Sequence, residues 1–153
     1  PRSTPLYSSA ASDVYKRQLL DYWLGPARLV FRDLQHLVQP YEVEDGATLV
    51  LQLPNGAPVT AYFAWNSRTF MDRFELVGTE GRIVMDPLDG PGLLVVRGRD
   101  VEEIRLEAPA NAHLPCVEDF VRAVRENREP LSSASSGLRT NRLLAAALEG
   151  SPS

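Results

Sequence analysis

The chain is nearly devoid of cysteine and lysine: Cys116 is the only cysteine and Lys16 the only lysine among 153 residues. One thiol closes no internal disulfide and builds no thiolate cluster for a metal, which fits a reducing compartment, and cytoplasm is the expected location. Basic charge is also scarce. The 16 Lys and Arg are outnumbered by 20 Asp and Glu, giving a formal net charge of −4. That balance leaves no surplus of cations for a phosphate backbone or an anionic lipid surface, so neither nucleic acid nor membrane is an expected partner. No apolar run approaches the roughly 20 residues that span a bilayer. The longest, Leu143 to Leu148, is half alanine. A glycine-rich Gly-x-Gly-x-x-Gly strand-to-helix turn is missing as well, which removes the usual cradle for a dinucleotide pyrophosphate. What remains is the composition of one ordinary globular domain.

The first eighteen residues stand apart. Pro1 to Gln18 are rich in Ser, Pro and Ala and show no apolar period. Ser8 to Gln18, Ser-Ser-Ala-Ala-Ser-Asp-Val-Tyr-Lys-Arg-Gln, coincides codon for codon with the translation of a transposase-type sequencing adapter. Pro1 to Thr4 looks like the translated end of a flow-cell primer. On this reading residues 1–18 are a processing scar to be set aside before fold reasoning, and Leu19 is an interior residue of a longer protein. The stretch from Leu19 then holds 13 basic and 19 acidic residues and no lysine. A lysine base or Schiff base is thereby excluded for it.

From Leu19 onward the periodicity is informative. Leu19 to Leu24 reads as the last turns of a helix, ended by Gly25 and Pro26. Leu29, Phe31 and Val38 punctuate a polar stretch of strand character. Thr48 to Leu53 alternates, with Leu49, Leu51 and Leu53 on one face. Asn55-Gly56, two residues that tolerate positive φ, predicts a hairpin returning through Val59 to Trp65, with Val59, Ala61, Phe63 and Trp65 on one face. Arg73 to Val77 turns at Gly78-Thr79-Glu80-Gly81 into Arg82 to Met85, and Leu93 to Val96 turns at Gly98-Arg99-Asp100 into Val101 to Leu106. After Pro115 the period lengthens to 3.6: Val117, Phe120, Val121 and Val124 form a helical stripe expected to face a core, with Glu118 and Asp119 complementing the helix dipole. A second helix, Ser136 to Glu149, carries Leu138, Leu144 and Leu148 and stops at Gly150-Ser151-Pro152. The pattern predicts an α+β domain, an open and mostly antiparallel β-sheet with helices packed on one face.

In the same order, Tyr22-Trp23-Leu24-Gly25, Val43-Glu44-Asp45, Asn55-Gly56 and Phe74-Glu75-Leu76-Val77-Gly78-Thr79-Glu80-Gly81-Arg82-Ile83 resemble the C-terminal domain of the Gfo/Idh/MocA oxidoreductases. Cys116-Val117-Glu118-Asp119-Phe120-Val121, Arg128-Glu129-Pro130 and residues 145–151 extend the resemblance over nearly all of 19–151. It implies a parent enzyme that uses NAD or NADP, bound by an N-terminal Rossmann domain, to oxidise or reduce a sugar, cyclitol or related polyol. Residues 19–151 would be its substrate and oligomerisation domain. The family's lysine lies outside this sequence, and counting back from Gly25 to its His-x-x-Asp pair lands on Tyr15 and Gln18. The resemblance therefore implies no catalytic and no cofactor-binding residue in this chain, which alone would be inactive.

It further implies that the sheet face and the loop after the Trp65 strand meet the substrate. Trp65, Asn66 and Arg68, an aromatic surface with hydrogen-bonding groups, are the predicted substrate-binding residues. The competing reading makes Trp65 core and Arg68 a solvated turn residue. Asp21 is assigned to the helix surface. His113-x-x-Cys116 lacks companion ligands, so no metal site is expected. An open sheet covered on one side leaves a second face, and a homo-oligomer through that face is the expected arrangement. The alternative is a free-standing, non-catalytic sheet module for dimerisation or ligand binding.

Overall fold

The computed structural model describes residues 16, 18–40, 43–69, 71–107, 111 and 113–149. The adapter-like stretch, apart from residues 16 and 18, and the predicted stop at Gly150-Ser151-Pro152 lie outside the described residues. Helix α1 (residues 18–24) leads into β1 (Arg28–Gln35), β2 (Gly46–Gln52) and β3 (Pro58–Ala64). Then come β4 (Phe74–Val77), β5 (Arg82–Met85), β6 (Gly92–Arg97), β7 (Asp100–Arg105), α2 (Leu114–Glu126) and α3 (Ala134–Glu149). The α+β class and the open antiparallel pairing stand as read from the sequence. The strands divide, however, between two sheets, ordered β1-β2-β3 and β4-β5-β6-β7. The chain correspondingly falls into two compact units, residues 1–67 with 131–153, and residues 68–130.

In the first unit the alternation of β2 decides the packing. Leu49 and Leu51 are 3% and 2% exposed, and Leu53 just beyond the strand is buried with them. On the same face β1 adds Leu29, α1 adds Leu20, and α3 adds Leu143, Ala146 and Ala147. Helix α3 packs against β1. Its buried positions are Thr140, Leu143, Ala146 and Ala147, whereas Leu138 and Leu148 are exposed. The helix thus approaches the sheet through small residues rather than through two of the leucines marked in the sequence. The Thr140 hydroxyl donates to the Ser136 carbonyl at 3.2 Å, so its burial leaves no unmet donor. Arg32 reaches from β1 to the last turn of α3 and donates to the carbonyls of Ala147 and Leu148 at 2.5 and 2.7 Å. A cation there meets the negative end of the helix dipole.

The predicted helix end at Gly25 is present: its N–H donates to the Asp21 carbonyl at 3.0 Å with φ at 84°. Asp21, assigned to the helix surface, instead has a side chain only 11% exposed, which accepts three hydrogen bonds from the Arg139 guanidinium of α3, the shortest 2.7 Å. The Asn55-Gly56 hairpin also forms, but only Gly56 takes a positive φ, 87°. Pro54 and Asn55 make the turn closed by Gly56 N–H to the Leu53 carbonyl at 2.9 Å, and the Asn55 side chain accepts from Ala57 N–H at 3.0 Å. This is a type I turn followed by a left-handed glycine, which the rigid φ of Pro54 favours over a turn with two left-handed residues.

In the second unit β4 to β7 follow one another as hairpins. The Gly78–Gly81 turn is closed by Gly78 N–H to the Gly81 carbonyl at 2.8 Å. A Cβ at Gly81 would lie 2.2 Å from the Val96 carbonyl oxygen of β6, so the glycine is required by close approach of two backbones. Helix α2 has the predicted extent but not the predicted environment. Val117, Phe120 and Val124 are 55%, 58% and 66% exposed, and Ala123 is its one buried residue. A 3.6-residue period reports an amphipathic surface and is silent on what that surface meets. Glu118 and Asp119 lie beyond the first turn, because the helix starts at Leu114. Asp119 instead accepts from Arg128 Nη2 at 2.7 Å, just past the helix end.

Candidate functional site

The last residues of β1, the first of β2 and the chain leaving β3 come together around Asp45. Register pairs Gln35 with Gly46, and Gly46 with Ala64. These three belong to the face of the β1-β2-β3 sheet opposite the leucine core. Along that open face run Asp33, Thr48 and Tyr62, then Phe31, Val50 and Thr60. Phe31 and Tyr62 are 54% and 53% exposed, so the face carries aromatic surface between hydroxyl and amide groups.

Asp45 is completely buried. Its Oδ1 accepts from Leu37 N–H at 3.0 Å, and its Oδ2 accepts from Val38 and Gln39 N–H at 2.7 and 2.8 Å. Asn66 Nδ2 donates to Oδ1 at 3.4 Å. Main-chain bonds close the assembly: Asp45 N–H to the Gln35 carbonyl, and Trp65 N–H to the Asp45 carbonyl, both 2.8 Å. Gln39 Nε2 donates to the Trp65 carbonyl at 3.1 Å. The Gln39 amide, with those of Val38 and Leu37, outweighs the opposing effect of burial and holds the Asp45 carboxyl down at about 2, from its ordinary 3.8. Such a carboxylate is ionised throughout the neutral range with its lone pairs occupied. Asp45 is accordingly no general acid or base; it fastens the loop after β1 to the end of β3.

The predicted site residues separate. Trp65 and Asn66 are half-buried and sit together on this assembly, while Arg68 is exposed and begins the second unit. The sequence marked Asp45 within the Val43-Glu44-Asp45 motif but carried no signal for Gln35, which strand register brings beside Gly46.

His36 Nε2 lies 2.9 Å from the Gln39 carbonyl. His113 stands before α2, its N–H donating to Asn111 Oδ1 at 2.9 Å. Among the described residues no group of three or more His, Cys, Asp or Glu could hold a metal. No helix is long and apolar enough to cross a membrane, again among the described residues. The residues also do not fit a dinucleotide. Gly78 and Gly81 bound a β-hairpin, Gly90 donates to the Pro87 carbonyl in the turn before β6, and every described strand pair is antiparallel. Pyrophosphate binding of the Rossmann kind needs a glycine turn leading from a parallel strand into a helix N-terminus.

Fold and site together define a class: an antiparallel-sheet α+β domain with one open sheet face and, among the described residues, no glycine turn leading from a parallel strand into a helix. The family likeness follows. Residues 12–84 match the family model described as the GFO/IDH/MocA C-terminal domain, which bears out the resemblance for the motifs from Tyr22 to Ile83, while those from Cys116 onward lie outside the match. The 3-ketoreductase KijD10 from Actinomadura kijaniata, in complex with TDP-benzene and NADP, superimposes with a TM-score of 0.77 at 20% identity. That match covers 98% of this chain and 49% of the other. The UDP-N-acetylglucosamine 3-dehydrogenase GnnA from Acidithiobacillus ferrooxidans gives a TM-score of 0.73 at 21% identity, covering 97% and 48%. The chain therefore spans about half the length of the solved structures it matches. No curated protein sequence matches it significantly.

Proposed function

We propose that this chain is the substrate-side and oligomerisation domain of an NAD(P)-dependent oxidoreductase acting on a sugar, cyclitol or related polyol. The observation that carries the proposal is the family match over residues 12–84, which takes in β1 to β3 and the Asp45 assembly. In support, the two relatives are named for chemistry at a sugar or keto carbon, and one is in complex with NADP. In this reading Trp65 and Asn66 contact the substrate, and the part of the open sheet face that carries Phe31 and Tyr62 joins copies of the chain. The nicotinamide cofactor supplies the hydride exchange when bound to the parent enzyme. Hydride transfer also needs a base beside the reacting hydroxyl. Asp45 does not fill that role, so the contribution of this chain is to bind and orient.

Titrating the chain with UDP-N-acetylglucosamine and, separately, with NADP tests the proposal. The sugar nucleotide is expected to perturb the Trp65 indole resonance and NADP to leave the spectrum unchanged. Turnover of NADP by this chain alone, or an unperturbed Trp65, would sink it. The second reading, a free-standing binding or dimerisation module, draws on the exposure of Phe31 and Tyr62. Reading the source DNA upstream of the Leu19 codon separates the two. A frame running into His-x-x-Asp, a lysine motif and a glycine-rich turn favours the oxidoreductase, and a nearby start codon favours the module.

A further inference from the structure

Two side-chain amides lie at the same end of the open face, and each is oriented by a carboxylate. Gln35 Nε2 donates to Asp33 Oδ2 at 2.8 Å, and Asn66 Nδ2 donates to Asp45 Oδ1 at 3.4 Å. An ionised carboxylate only accepts hydrogen bonds, so each amide must turn its NH2 toward its acid and its carbonyl oxygen away. Between them is Gly46. A Cβ there would meet Gln35 Oε1 at 3.1 Å and Asn66 Nδ2 at 3.7 Å, so both amides rest over a position that offers no side chain. Both are half-buried, which limits their competition with bulk water.

We infer that Gln35 and Asn66 form a hydroxyl-reading pair that determines specificity for a polyhydroxylated ligand, with Asp33 and Asp45 as its positioning residues. The inference rests on the substrate-side reading above and deepens it. Over Gly46 the pair presents one acceptor, Gln35 Oε1, and one donor, Asn66 Nδ2, and a ligand hydroxyl can donate to the first and accept from the second. The ligand group is neutral: the exposed Asp33 carboxylate repels an anion, whereas Asp45 is already satisfied by three backbone N–H groups. The pair therefore reads sugar or cyclitol hydroxyls and not a phosphate. Removing one such hydroxyl from the ligand leaves a half-buried acceptor unmet, which is where discrimination of this kind arises.

The test is an NMR titration of the whole chain, following the side-chain amides of Gln35 and Asn66 together with the Trp65 indole. The probes are myo-inositol, D-glucose, UDP-N-acetylglucosamine and, as an anionic control, UDP. The expected result is a shift of both amides with at least one hydroxylated probe and none with UDP. Gly46→Ala, which displaces the Gln35 amide, and Gln35→Leu, which removes it, each weaken that probe about tenfold or more. Circular dichroism checks that each variant is folded, and either one suffices if the other is not. If Trp65 responds while the amides are silent, or if both folded variants bind as the parent does, the pair is refuted and the substrate-side reading survives. If no probe moves any of the three side chains, both fall.

Discussion

At the residue scale Asp45 governs local order. Because its folded pKa is depressed, its ionisation contributes stability that is present above 3.8 and is lost as the pH falls toward 2. Acid titration of the parent chain should show that loss across this window, and Asp45→Asn should flatten the profile there while lowering stability at neutral pH. The amides of Leu37, Val38 and Gln39 should exchange with solvent faster in the variant. Unchanged exchange at all three would show that the carboxylate does not hold the loop. Gly81 is a second residue without latitude. Gly81→Ala drives a methyl group into the Val96 carbonyl and should destabilise by about 1–3 kcal/mol in denaturant unfolding. Gly137→Ala provides the contrast. Nothing lies within 4 Å of the added Cβ in α3, so the helix should gain about 0.5–1 kcal/mol.

At the element scale, β2 is the strand around which the first unit is built, being paired on both sides and buried on one face. Leu51→Ala should cost about 2–5 kcal/mol, the range for a large-to-small change in a close-packed core. A loss under about 1 kcal/mol in urea unfolding would mean that the leucine face is loosely packed. Helix α2 teaches the opposite lesson. Its period, its extent and the αL residue Asn127 that ends it, φ 51°, are those of an ordinary amphipathic helix, yet its apolar stripe is exposed among the described residues. Element boundaries were legible because they are enforced locally. Gly25 and Gly56 supply left-handed backbone, the Gly78–Gly81 turn reverses the chain, and alternation in β2 sorts leucine from polar residues. Which positions of α3 are buried was not legible, because Thr140, Ala146 and Ala147 are covered along with Leu143 while Leu138 and Leu148 are not, a choice that a hydrophobicity pattern does not encode.

For the whole molecule, the open face of β1-β2-β3 sets the expected association behaviour. If copies join through it, Phe31→Asp and Tyr62→Lys should each shift sedimentation toward a monomer, while Arg105→Ala on the exposed β7 should leave it unchanged. A monomer in the parent chain at all attainable concentrations would remove the oligomerisation role. What the sequence determined by itself was what local chemistry controls: strand and helix periods, turn positions, an acidic balance with a single lysine, the lack of a dinucleotide turn, and a motif order resembling one family. Tertiary structure alone decided that the strands make two sheets, that Asp45 is a buried clamp, that α2 turns an apolar face outward, and that Gln35, Gly46 and Asn66 meet. Those outcomes depend on register and on contacts between residues up to 31 positions apart in the chain. Backbone sterics act over a few bonds, whereas contacts of that separation form only once strands have paired and buried their surfaces.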